Sequence, residues 1–295
     1  AIRAYISEGG DVNAEQRGGQ SLLMVATRAR QYESAFLLIE NGADVRARDN
    51  RGRTALIYTA EAGDAAIAQL LIENGAVLNA QDDSGDSPLK EAASGGHTNV
   101  VFLLLDEGAD LEIRTDAGRT PIFYAVTNNH TATARELLEA GSDPNARDDE
   151  GLAPIFFALE SEQGSVLELL LAYGANAAVV DDTGRTPLMI AAAENNARAV
   201  ETLLREAERL IDETDDDGWS AVLYALSVSA QESSGVTRSA RLLLDRGAVI
   251  EPYGEAAAIV AHSAAESGNI DVLQLLLRSG LNRRLVARAG DGVPN

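Results

Sequence analysis

Leucine-rich runs recur along this chain, each facing a shorter cluster of small apolar residues across a few polar positions. Val100-Val101-Phe102-Leu103-Leu104-Leu105 is one such run, and Leu70-Leu71, Leu137-Leu138 and Leu203-Leu204 mark others. The small clusters include Ala92-Ala93 and Ala191-Ala192. Glycines frame the pattern. Gly19, Gly52, Gly85, Gly118, Gly151 and Gly184 are spaced by 33 residues, and each opens a similar phrase, such as Gly118-Arg119-Thr120-Pro121 or Gly184-Arg185-Thr186-Pro187. A second glycine with a small neighbour follows the leucine run: Gly42-Ala43, Gly75-Ala76, Gly108-Ala109, Gly141-Ser142, Gly174-Ala175. A fixed period of this length is the mark of a stacked-repeat architecture.

Elementary chemistry turns the phrase into structure. Thr54, Ser87, Thr120 and Thr186 can cap a helix by accepting from its unpaired N–H groups. Pro88, Pro121, Pro154 and Pro187 come next, where a missing N–H costs nothing. A short helix with small residues follows, then a second helix carrying the leucine pair. Glycine, tolerant of the left-handed conformation, ends the second helix. The ten polar residues up to the next opening glycine predict a projecting turn or hairpin.

Period and phrase together resemble the ankyrin repeat, whose phrase is Thr-Pro-Leu-His-x-Ala. The resemblance covers essentially the whole chain. It implies an all-α solenoid of helix-turn-helix units with β-hairpin or turn tips. On this reading residues 1–295 form a single ankyrin-repeat solenoid, a partial unit at 1–15 followed by eight helix pairs. The phrase's His slot holds Met24, Ile57, Lys90, Phe123, Phe156, Met189 and Leu223, so apolar packing is expected to replace a polar tie between repeats. Only His262 keeps the histidine. Gly184 to Gly218 is 34 residues, and the next opening slot, Ala257, lies 39 further on. The six extra residues fall near 229–234, between two helices. Ala1 to Glu8 reads as a second helix without its first, which fits either a trimmed longer chain or a half-unit cap. Arg278, Arg283, Arg284 and Arg288 are expected to polarise the far end.

Composition narrows the function. Apolar content is 45% and aromatic content only 4%, so the core is built from Ala, Leu, Ile and Val. No cysteine is present, which removes disulfides, thiolate metal sites and a cysteine nucleophile. The net charge is -22, and Lys90 is the sole lysine. Nucleic acid and anionic membrane are poor partners for such a surface. Two readings of the charge stand side by side, background composition or a saline habitat, and selection for a basic partner. Cytoplasmic, periplasmic and secreted locations all remain open.

Catalytic chemistry finds little support. A site needs a nucleophile with a base, or a metal cluster, in one place. His97, His130 and His262 each fall on slots where the ankyrin pattern itself carries histidine. No His-Glu-x-x-His and no phosphate-binding lysine loop occurs. Glu213-Thr214-Asp215-Asp216-Asp217-Gly218 resembles the start of a calcium loop, but Tyr224 holds the slot where a bidentate Glu is needed. Asn129-His130-Thr131 fits a glycosylation acceptor that matters only in a secreted eukaryotic protein. No enzyme activity, cofactor or metal is expected.

The family resemblance implies a protein partner bound on the concave side, at the tips and the exposed side of the first helix. Carried over slot by slot, it selects Asp83, Asp116, Asp149, Glu150, Asp182, Asp216 and Asp217 at the tips. The first Asp of most tips is expected to be structural. The slot after the opening glycine adds Asp86, Arg119, Leu152, Arg185 and Trp219, with Arg53 in the same register, and Glu160 completes the set. Trp219 is the sole tryptophan, a residue type enriched in binding hot spots. The expected function is a non-catalytic scaffold, adaptor or inhibitor, monomeric, for a basic protein, its face centred on the units opened by Gly151 to Gly218. A regulatory or capping arm of a larger protein is the alternative, ahead of a bacterial immunity role or an enzyme.

Overall fold

The structure, a computed structural model, describes residues 2–159, 164–251 and 254–280. The described residues form α-helices with no extended sheet, and isolated antiparallel bridges pair Glu15 with Ser21 and Thr214 with Ser220. The chain divides into two compact units, 1–154 and 155–295.

The first unit opens on α1 (Ile2–Ser7). Four helix pairs follow: α2 (Leu22–Arg28) with α3 (Tyr32–Glu40), α4 (Ala55–Ala62) with α5 (Ala65–Glu73), α6 (Pro88–Ser94) with α7 (Thr98–Asp106), and α8 (Pro121–Thr127) with α9 (Thr131–Glu139). First helices pack on first helices, α2 on α4 on α6 on α8, and second helices stack likewise, α3 on α5 on α7 on α9. The small residues permit this: Ala60, Ala92, Ala93 and Ala125 are fully buried between neighbouring first helices. Leu71, Leu104 and Leu137 fill the second layer. Apolar packing in the old His slot is what the structure has, with Met24, Ile57 and Phe123 buried.

In the second unit α10 (Pro154–Phe157) is followed by α11 (Ser165–Ala172), and α12 (Pro187–Ala193) pairs with α13 (Ala197–Ala207), α14 (Ala221–Ala230) with α15 (Arg238–Asp245), and α16 (Glu255–Ser267) with α17 (Ile270–Arg278). Here too α12, α14 and α16 stack in series, as do α11, α13 and α15. Arg283, Arg284 and Arg288 lie outside the described residues.

Helix starts follow the expected chemistry with one correction. The N–H groups of Ile57, Lys90 and Met189 donate to Thr54, Ser87 and Thr186, and that of Met24 donates to Ser21. Thr120 takes the same extended conformation, but its hydroxyl is buried and makes no cap bond. Pro121, which fixes the first helical residue, starts α8 without it.

The later units depart from the period for visible reasons. Arg30, Asn129 and Asn195 adopt left-handed conformations where the first helix ends, as do Gly63, Gly96 and Gly268 in the same register. In the Gly218 unit that slot is Ser229, inside α14, and the left-handed turn moves to Gly235. The six extra residues therefore lengthen α14 before they lengthen the loop. Ala257 differs more. It was expected to open a turn, yet it is buried inside α16, which starts at Glu255. The His262 ring correspondingly bonds the Ala258 carbonyl of its own helix (2.9 Å) rather than a neighbouring repeat.

Leu104→Ala should cost about 2–5 kcal/mol, the range for a buried leucine truncation, read as a fall in urea midpoint. Gly85 and Gly108 both have positive φ (+77° and +86°), but a Cβ on Gly85 would meet the Thr115 and Asp116 backbone at 2.9 Å while Gly108 faces open space. Gly108→Ala should cost about 1–2 kcal/mol from backbone strain alone, and Gly85→Ala clearly more. Equal midpoints for the two variants would contradict the tip packing described next.

Candidate functional site

Each tip is a short hairpin. The N–H of the opening glycine donates to the carbonyl three residues back, as Gly52 does to Asp49 and Gly184 to Asp181, and a second bond closes the turn from the other side. Three-residue loops ending in a left-handed glycine are a common hairpin connection. The first tip Asp locks it. Asp49 Oδ1 accepts the N–H groups of Arg51 and Arg53, and Asp82, Asp148, Asp181 and Asp215 do the same two and four residues ahead. Thr115 replaces this Asp in one tip and pairs with the Tyr124 hydroxyl at 3.0 Å.

The second tip residue joins successive tips. In the first unit the N–H of Asn50 donates to Gly18, Asp83 to Arg51, Asp116 to Ser84 and Asp149 to Ala117, at 2.9–3.1 Å. In the second, Asp216 donates to Thr183 at 3.3 Å. These backbone bonds set the spacing of the carboxylates. Asp83, Asp116, Asp149, Glu150, Asp182, Asp216 and Asp217 are exposed.

The slot after the glycine is less open than the resemblance implied. Asp86, Arg119, Leu152, Arg185 and Trp219 are half-buried. Lys90 Nζ pairs with Asp86 at 2.8 Å, Arg119 with Asp148 at 3.0 Å and Arg185 with Asp181 at 2.8 Å. Arg114 also reaches Asp149 at 3.3 Å. Trp219 leans on Tyr224, with ring centroids 5.2 Å apart. Arg53 is the plain correction: only 7% exposed, it is a core residue rather than a contact residue. Glu160 lies outside the described residues.

Sequence reasoning missed what surrounds Arg53. Its guanidinium reaches Glu61 and Glu91 at 2.8 Å and Asp82 at 3.5 Å, and lies 4.5 Å from the Tyr58 ring centre. Lys90 sits beside it, near Asp86 and Glu91 and 4.7 Å from the Tyr124 ring centre. The available signal was a charged residue, Lys90, in a slot that holds Met, Ile, Phe or Leu in every other repeat but that of His262. Asp82, Asp86 and Glu91 place carboxylate oxygens within 4.8 Å of one another, a spacing that suits a cation. Arg53 and Lys90 already neutralise them, so the geometry is that of an ion-pair network.

Protonation follows from these contacts. Burial pushes Glu91 up from its ordinary 4.5, against the pull of Lys90 and Arg53. Burial also pushes Asp49 and Asp181 up, but hydrogen bonds outweigh it, from Tyr58 and backbone N–H groups for the first and from Arg185 and Thr183 for the second. Both end below the ordinary 3.8. Burial and the adjoining Asp215 carboxylate raise Tyr224, which stays protonated and donates to Asp215. Asp215 is thus fully engaged by its own tip, which disposes of the calcium-loop resemblance. His97 and His130 likewise serve structure, their Nε2 atoms 3.0 and 3.1 Å from the Glu61 and Ser94 carbonyls of preceding repeats.

Stacked helix pairs with bonded hairpin tips define a helical-repeat protein. The family described as ankyrin repeats (3 copies) matches residues 1–82, 23–115, 77–148, 123–215 and 155–253. The chain belongs to the ankyrin-repeat family, whose members typically mediate protein–protein interaction without catalysis. Comparison with the curated proteins gives no match. Among the described residues no helix is long and apolar enough to cross a membrane.

Arg53→Ala should cost about 3–5 kcal/mol, as expected when a buried pair loses one partner. The pH profile carries two signs. Glu91, raised in the fold, adds stability as pH falls through its folded value toward 4.5. Asp49 and Asp181, lowered in the fold, stabilise above 3.8 and lose that contribution as pH falls further. Urea midpoints should therefore rise slightly toward pH 4.5 and then drop, and Glu91→Gln should abolish the rise. An unchanged profile in Glu91→Gln would contradict the assignment.

Proposed function

We propose that this chain is a non-catalytic, monomeric protein-binding module for a partner with a basic surface. The docking surface is assigned to the second unit, on the tips and adjoining slots of Asp182, Arg185, Asp216, Asp217 and Trp219. Asp83, Asp86, Asp116, Arg119, Asp149, Glu150 and Leu152 form the equivalent row of the first unit. One observation carries this reading. In nearly every tip the first carboxylate is held by its own backbone N–H groups, whereas the second is exposed and spaced by the backbone bonds between tips.

A row of like charges held at fixed intervals raises the local field, which steers an oppositely charged partner and repels nucleic acid. Arg185 moderates the row without cancelling it, being already paired with Asp181. Trp219 supplies apolar area of the kind that dominates interface energetics.

Affinity capture from the native organism, read by mass spectrometry, supplies the partner for the test. Its association rate should fall steeply as salt rises. Charge reversal at Asp182 and Asp216 should lower that rate about tenfold or more and leave dissociation little changed. Trp219→Ala should weaken binding by at least about 2 kcal/mol. A partner that binds both variants as it binds wild type would show the surface to be misplaced.

A further inference from the structure

In the second unit the bonded tips end, among the described residues, at the Gly218 hairpin. In five of the six preceding tips the carbonyl before the opening glycine accepts the next tip's N–H: Gly18 from Asn50, Arg51 from Asp83, Ser84 from Asp116, Ala117 from Asp149, Thr183 from Asp216. The corresponding carbonyl here is Asp217, and no N–H among the described residues reaches it. The cause is the early start of α16. Ala257, the residue that the period would place in the next turn, is inside that helix, so no hairpin among the described residues lies over Asp217. Gly218, like Gly151, has nothing within 4 Å of a built Cβ, whereas at Gly52, Gly85 and Gly184 atoms of the following tip lie within that distance.

Beside this open end is a cavity of about 230 Å³ lined by Asp217, Trp219, Glu255, Ala256 and Ile259. Its walls are an indole braced against Tyr224 and the side chain of Ile259, which is 45% exposed. Its rim holds two exposed carboxylates, Asp217 and Glu255, with Asp216 close by in the chain. The N-terminus of α16 contributes a positive end of roughly half a charge, which two full carboxylate charges outweigh.

We propose that this open end binds an extended arginine-bearing segment of the partner as one more rung. A backbone N–H of the segment donates to the Asp217 carbonyl. The arginine stem lies along Trp219 and Ile259, and its guanidinium meets Asp217 and Glu255. Unpaired backbone at the end of a bonded array recruits extended peptide in this manner. Arginine suits the pocket better than lysine, because its planar fork stacks on an aromatic face and also pairs with carboxylates. The inference rests on the proposed function and names the chemistry its partner must present.

The sole tryptophan reports on the site directly. The full chain is titrated with the blocked tripeptide acetyl-Val-Arg-Val-amide, following the Trp219 indole N–H resonance and emission. Saturable shifts are expected, weakening as salt rises. Citrulline in place of arginine, methylation of the arginine backbone nitrogen, and the surface variants Asp217→Asn and Glu255→Gln should each reduce affinity at least several-fold. Equal shifts with arginine and citrulline, or tighter binding of the glutamate tripeptide, would overturn the proposal. Loss of peptide binding alone, in a chain whose captured partner still responds to reversal at Asp182 and Asp216, would also overturn the pocket but leave the tip row standing. A partner indifferent to that reversal would remove the tip row whatever the peptide does.

Discussion

No helix pair in this chain can bury its apolar faces alone. α6 and α7 are seven and nine residues long, too short to persist in water without a neighbour. Each pair therefore depends on the surface the adjacent pair presents, and within each unit that dependence runs from repeat to repeat. Fully buried alanines such as Ala92 and Ala191 follow from it, since a larger side chain would hold neighbouring first helices apart. So does the apolar content of the old His slot, where Met24, Ile57, Phe123, Met189 and Leu223 all pack as core residues.

The tips obey the same constraint in polar form. A projecting hairpin has backbone groups that neither helix layer can satisfy, and buried or shielded groups of that kind are rarely left unpaired. In most tips one carboxylate, Asp49 or its equivalent, takes two N–H groups within the hairpin, and a third N–H reaches back to the previous tip. The exposed acidic residues inherit their spacing from this scaffold. Function on such a fold lies in the variable slots the scaffold leaves over.

Where a slot departs from the pattern, neighbouring slots compensate. Lys90 in an apolar slot is accompanied by Asp86, Glu91 and Tyr124, and buried Arg53 by Asp82, Glu61 and Glu91. The charges span adjacent repeats, so they tie α4, α6 and α8 together where other repeats use hydrocarbon. Replacing both sides of such a network with apolar residues can be neutral, whereas removing one side is costly.

The sequence by itself determined the repeat, its helix pairs, the caps at Thr54, Ser87 and Thr186, and the structural role of Asp49 and its counterparts. All of these are local: a period, a cap residue, a proline or a glycine whose consequence is felt within a few residues. It did not reveal that Arg53 is buried, that Arg119 is already paired, or that Thr120 makes no cap bond. Those outcomes depend on side chains 29 to 38 positions away or on rotamers set by packing, as between Arg53 and Glu91 or Arg119 and Asp148. Ala257 is the sharpest case. Its place in the period is that of an opening turn, but the alanine-rich stretch from Ala256 to Ala258 favours helix and buries against α14. Only the tertiary structure could decide between periodicity and propensity there, and its choice leaves the Asp217 carbonyl without a following tip among the described residues.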